Sequence, residues 1–108
     1  MHQITTSETP FYAVIFISKK KDDLTGYHEL DDEIMKLATE QPGYMGYENV
    51  RNENKSIFIS YWKDEASIEN WKNHTRHIFA KSNAHSWYER WLSQICKVES
   101  SREYKTTE

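Results

Sequence analysis

The sequence holds a single cysteine, Cys96, which excludes an intramolecular disulfide and a thiolate metal cluster. No apolar run approaches the ~18 residues that a membrane-spanning helix needs. The opening stretch, Met1 to Pro10, is polar and lacks the long apolar core of a signal peptide. A cytoplasmic protein is therefore expected. Excess charge of one sign is missing too. The net charge is −3, and the one basic run, Lys19-Lys20-Lys21, is followed at once by Asp22 and Asp23. This gives no electrostatic footprint for nucleic acid, and the run reads as a solvated strand end. Apolar residues are scarce, at 37% against 29% charged.

The apolar residues that are present are large. Four Trp, seven Tyr and four Phe make up 14% of the chain, and each such ring can bury roughly 150–250 Å². A chain of 108 residues has room for one domain, and a domain that small buries only a modest share of its own surface. The pattern places the domain at 11–104, between a polar segment at 1–10 and a short tail at 105–108.

Phe11–Ser18, FYAVIFIS, is apolar on both alternating faces and reads as a strand buried on both sides. From Thr25 the period lengthens. Tyr27, Leu30, Ile34, Leu37 and Ala38 recur at helical spacing, with Glu29, Asp31, Asp32, Glu33 and Lys36 assigned largely to the opposite face. Asp22, Asp23 or Thr25 supplies a cap, and Pro42-Gly43 ends the helix near Gln41. A strand over Tyr44–Arg51, a polar turn Asn52–Lys55 and a second two-faced strand, Ser56–Trp62, follow. Asp64 is a good cap for a second helix carrying Ile68 and Trp71. Helical character persists over Asn73–Trp91, with a break around Lys81–Asn83, before a last strand over Gln94–Ser100. Cys96 lies in that strand and reads as a buried, inert thiol.

The order β-α-β-β-α-β is the ferredoxin-like, α+β arrangement with an antiparallel sheet. Both helices cover one face of such a sheet. The other face, apolar along two strands, needs a cover of its own, and a second copy of the same sheet is the simplest. A sheet-to-sheet homodimer is expected.

The block from Gln41 to Trp71 carries a recognisable set of pieces: Pro42-Gly43, Gly46-Tyr47-Glu48, Tyr61-Trp62, Asp64-Glu65 and Trp71. In these, and over about residues 11–104, the chain resembles the antibiotic biosynthesis monooxygenase family of dimeric α+β barrels. His74, His77 and Trp87-Tyr88-Glu89 resemble a bacterial subgroup of small members. The resemblance implies a homodimer whose protomers hold an aromatic pocket between sheet and helices. It further implies oxygenation of a small phenolic or quinol-like aromatic with neither metal nor flavin, because the electron-rich substrate anion reduces dioxygen itself. Haem-degrading members use an Asn on the first strand, a Trp on the second helix and a His about three turns later. Trp71 fits, but the first strand contains no Asn and Lys81 stands where the His would fall. Haem degradation is disfavoured accordingly. The alternative from another class is a noncatalytic small-molecule-binding or stress-response dimer. Fold does not choose among these.

His74 and His77 share a helix face at i and i+3, and imidazole titrates where a base or proton relay must. With Trp71 they are the expected catalytic residues. Their competing reading is a helix-end hydrogen bond for His74 and partial exposure for His77. An imidazole pair also suits a metal, yet no Asp, Glu or Cys at matching spacing completes a site, so no metal is expected. Tyr47, Trp62, His85, Trp87 and Tyr88 are the expected pocket walls, though any one ring is equally at home in the core. Glu48 and Arg51 have opposite parity, so one could face the pocket and the other the dimer barrel.

Overall fold

A computed structural model describes residues 9–80 and 86–106, with residues 77, 79 and 80 described by backbone alone. Six elements follow one another: β1 (Phe11–Lys20), α1 (Tyr27–Thr39), β2 (Tyr44–Asn52), β3 (Lys55–Trp62), α2 (Glu65–Ala80) and β4 (Tyr88–Val98). The strands form one antiparallel sheet in the order β2-β3-β1-β4. The expected ferredoxin-like arrangement is what the chain adopts.

The centre of the sheet is the pair of two-faced strands, β1 and β3, in register from Tyr12↔Trp62 to Lys19↔Lys55. α2 starts as expected on Asp64, whose Oδ1 accepts the backbone N–H and the hydroxyl of Ser67 at 2.8 and 2.7 Å. Between α1 and β2 the chain turns at Gly43, whose φ is +84°. A Cβ there would collide with the Ser67 side chain.

Four local expectations are corrected. α1 has no side-chain cap: its first flanking residue is Gly26, at φ +82°. Asp23 instead accepts from the Thr25 backbone and hydroxyl at 3.1 and 2.7 Å, the local competition typical of short polar side chains. Tyr88–Trp91 is strand rather than helix. It extends β4 against Ser18, Lys19 and Lys20, so the long ladder offered by β1 overrides the local helical period. Lys20, read as solvated, is 5% exposed. Cys96, read as buried, is exposed, because β4 is an edge strand and most of it remains open to solvent.

Alternation divides the sheet into two faces. Val14, Phe16 and Ser18 lie beneath the helices, paired with Ser60, Phe58 and Ser56. The outer face carries Ile15 and Ile17 opposite Ile59 and Ile57, flanked by Val50 and Leu92. Val50 is 66% exposed and Ile57 38%, so the single chain leaves this apolar face uncovered.

Candidate functional site

Between the helix-facing side of the sheet and the two helices lies a cavity of about 860 Å³. Its floor is set by register. The three rows Tyr47–Ser60–Val14, Asn49–Phe58–Phe16 and Arg51–Ser56–Ser18 run across β2, β3 and β1, and every one of these side chains lines it. α1 adds Tyr27, Asp31 and Met35, and α2 adds Ile68, Trp71 and Thr75.

One end is aromatic. Trp62 is fully buried and donates its indole N–H to Ser60 Oγ at 2.9 Å, which fixes the ring. Trp71 stacks on it with centroids 5.9 Å apart and planes inclined at 27°. Tyr44 meets Trp62 edge-on at 5.6 Å. Tyr47 stacks on Phe58 at 5.5 Å. Offset stacking and edge contacts of this kind suit the ring quadrupole.

A second aromatic group closes the side toward β4. Tyr27 packs edge-on against Trp87 and Tyr88, and Tyr88 against Phe16. Trp87 is held by its indole N–H, which donates to the Thr25 carbonyl at 2.8 Å, and by its own carbonyl, which accepts from Lys21 N at 2.7 Å.

The remaining end is polar. Lys20 Nζ donates to Ser56 Oγ at 3.1 Å, and Ser56 Oγ lies 3.0 Å from Ser18 Oγ. The same ammonium sits 5.3 Å from the centroid of the Tyr27 ring, a cation–π contact. Burial pushes the Lys20 pKa down, Arg51 adds to the shift and Asp31 opposes it. Burial likewise pushes the Asp31 carboxyl up, partly offset by Arg51 and, more weakly, by Lys20 and His28. The Tyr27 and Tyr88 phenols meet with their rings edge-on, centroids 6.5 Å apart. Burial raises both, Tyr88 far above the ordinary phenol, so Tyr88 stays a proton donor at any physiological pH.

Of the residues expected from the sequence, Trp71, Tyr47, Trp87 and Tyr88 line the cavity together. Trp62 does not line it. It is the backing on which Trp71 lies. His74 is exposed and is not on the wall, since it falls roughly 100° round the helix from Thr75, which is. His85, and the side chain of His77, lie outside the described residues. Sequence reading missed Lys20, Ser18, Ser56 and Asp31. Strand parity held the signal for the first three. For Asp31 the signal was its position one turn after Tyr27, which puts it on the apolar face. Glu48 and Arg51 do lie on opposite faces, with Arg51 at the cavity and Glu48 on the outer side near Tyr61.

Comparison with known proteins points one way. A family model described as antibiotic biosynthesis monooxygenase matches residues 10–81. The uncharacterized protein YqjZ of Bacillus subtilis is 41% identical over 99 residues, covering 90% of this chain and 87% of that protein. Among solved structures, SnoaB, a cofactor-independent oxygenase from Streptomyces nogalater, superposes with a TM-score of 0.64 at 11% identity. That match covers 88% of this chain and 97% of the other. A conserved protein from Methanosarcina mazei superposes at 0.68 with 15% identity, covering 85% and 94%. At these identities the two structures speak for the fold alone.

Proposed function

Since the chain belongs to the antibiotic biosynthesis monooxygenase family, we propose that it is a cytoplasmic homodimer that oxygenates a small phenolic or quinol-like aromatic without metal or flavin. The observation that supports this reading is the aromatic-walled cavity of about 860 Å³, with Trp71 laid flat against Trp62 at one end. A flat, electron-rich ring has a face to lie on there. No helix among the described residues is long and apolar enough to cross a membrane.

The chemistry asks little of the protein. A phenol with a free ring position loses its hydroxyl proton, and the resulting anion is the reductant. One oxygen atom of O₂ replaces the ring C–H, giving a quinone, and the other leaves as water. Four electrons pass from ring to oxygen, so no external reductant is needed. The protein's part is to exclude water, orient the ring and manage one proton. Tyr47, Trp71, Trp87 and Tyr88 serve as walls, and Asp31, one of two carboxylates on the wall, takes the proton, its burial raising its proton affinity.

The homodimer reading is supported by the uncovered outer face, where Ile15, Ile17, Ile57 and Ile59 form one apolar patch with Val50 at its rim. A second reading, a noncatalytic small-molecule-binding dimer, is favoured by one observation: His74, the expected acid–base group, faces solvent.

Turnover separates the two. The purified protein, treated with chelator and free of flavin, is mixed with 1-naphthol in an oxygen electrode. The enzyme reading expects one O₂ consumed per 1,4-naphthoquinone formed. Saturable binding of 1-naphthol with no oxygen uptake would leave the binder, and absence of binding would remove both.

A further inference from the structure

We propose that the polar end of the cavity, where Ser18, Ser56 and Arg51 line the wall and Lys20 stands behind Ser56, is a binding site for an oxyanion carried by the aromatic ligand. The inference rests on the reading of this cavity as a small-aromatic site and adds which end of the ligand is charged and which residues hold that charge.

The case is a count of donors and acceptors. Lys20 is 5% exposed, Ser18 1% and Ser56 7%, so all three polar groups have left bulk water. The ammonium brings three N–H donors. One reaches Ser56 Oγ at 3.1 Å, and the charge otherwise faces the Tyr27 ring. The two hydroxyls lie 3.0 Å apart and share one proton between them. Whichever donates, the pair retains a second O–H. Among the described residues, no further acceptor lies within hydrogen-bond distance of it.

Arg51 stands in the same cross-strand register as Ser56 and Ser18 and lines the same cavity. No carboxylate of the described residues lies within 4.0 Å of Lys20 or Arg51, since the two ion pairs found, Lys19–Glu89 and Lys105–Glu103, are elsewhere. Donors that outnumber the acceptors beside them are the complement of an oxyanion.

The surroundings agree in sign. The cavity wall carries Asp31 and Asp32 from α1, Lys72 and Arg76 from α2 and Tyr88 from β4, and of these Asp31 is the one that acts on Lys20. The wall therefore holds three cationic side chains, Arg51, Lys72 and Arg76, against two carboxylates, with Lys20 directly behind, in a chain whose net charge is −3. Burial raises the pKa of Asp31, while Arg51 and Lys20 oppose the rise. Phe58 and Phe16 occupy the next row of the floor and offer the ligand's ring a surface beside its charged group.

Two kinds of ligand present such an oxyanion: an ionised ring hydroxyl and a ring carboxylate. Three naphthalene probes distinguish them. 2-Methoxynaphthalene is neutral, 2-naphthol ionises with a change in its absorbance, and 2-naphthoate is charged throughout. Binding is followed by calorimetry, and the ionisation of bound 2-naphthol by absorbance against pH.

The expected result is that bound 2-naphthol ionises about one pH unit or more below its free value, or that 2-naphthoate binds about 10-fold or more tightly than 2-methoxynaphthalene. The first outcome identifies an ionised hydroxyl as the natural group and the second a carboxylate. In either case Arg51→Met and Lys20→Met reduce the effect and leave binding of 2-methoxynaphthalene within about 2-fold. Lys20→Met alters a buried site and is checked by circular dichroism. Arg51 is exposed at the cavity rim, so its variant tests the idea even where the other fails to fold. If 2-methoxynaphthalene binds but the other two show neither effect, the oxyanion site is overturned and the aromatic cavity stands. If none of the three binds, the reading of the cavity falls and this inference with it.

Discussion

Trp71 lies on Trp62 at 5.9 Å between centroids, and only the upper ring of this stack reaches the cavity. The lower ring is fixed by its bond to Ser60 Oγ at 2.9 Å. The two indoles therefore divide the work, Trp62 as structure and Trp71 as contact surface.

Substitution should separate the two roles. Trp62→Ala opens a void under the sheet and is expected to cost about 3–5 kcal/mol of stability. Trp71→Ala is expected to cost about 1–3 kcal/mol and to abolish naphthalene binding. Urea unfolding followed by circular dichroism, with calorimetry on each variant that folds, measures both. Equal losses of stability in the two variants would contradict the division.

His74→Ala is expected to change stability by less than about 0.5 kcal/mol, as for an exposed position, and to leave the affinity for 2-methoxynaphthalene and 1-naphthol within about 2-fold. A drop of about 100-fold in oxygen uptake would restore the acid–base role that its spacing from His77 suggested. The comparison uses urea midpoints, calorimetry and the oxygen electrode on the same preparation.

Period and parity made the sheet legible before any coordinates. Phe11–Ser18 and Ser56–Trp62 alternate without a polar face, and these two strands pair at the centre. Tyr47 and Trp71 were named through the family resemblance rather than through period, and both line the cavity. The polar end was not legible. Lys20 looks solvated because it sits in a run of three lysines before two aspartates, and local composition outweighs parity in such a reading. Its burial depends on Ser56, 36 positions away, and on the Tyr27 ring, neither of which is a neighbour in sequence. Tyr88–Trp91 went astray through the same cause, since its strand character comes from the Lys20↔Tyr88 and Ser18↔Trp91 pairings rather than from its own residues.

Val50 is 66% exposed on the apolar outer face, so a lysine there should be tolerated by the single chain and excluded by a sheet-to-sheet partner. Obligate interfaces bury upwards of ~2,000 Å² in total and resemble cores. Light scattering at micromolar concentration is expected to give a dimer for the wild type and a folded monomer, or a much weaker dimer, for Val50→Lys. A wild-type monomer under those conditions would remove the dimer from the proposal.

Asp31 supplies a pH test whose sign is fixed by its surroundings. Burial raises its pKa above the ordinary 3.8, with Asp32 adding to the rise and Arg51, Lys20 and His28 opposing it. The folded protein then holds this proton more tightly than the unfolded chain. Below pH 3.8 the carboxyl is neutral in both states and contributes no difference. As pH climbs from 3.8 through the raised folded value, ionisation costs the folded state more, so stability falls across that window and stays lowered above it. Asparagine keeps the size and removes the charge. Asp31→Asn is therefore expected to be more stable than wild type at pH 7, with the gap closing as pH is lowered to about 3.8. Urea midpoints measured at constant ionic strength give the gap at each pH. A gap that does not vary with pH would show that Asp31 titrates as in the unfolded chain. A variant less stable than wild type at pH 7 would show that attraction to Arg51 and Lys20 outweighs the cost of burial.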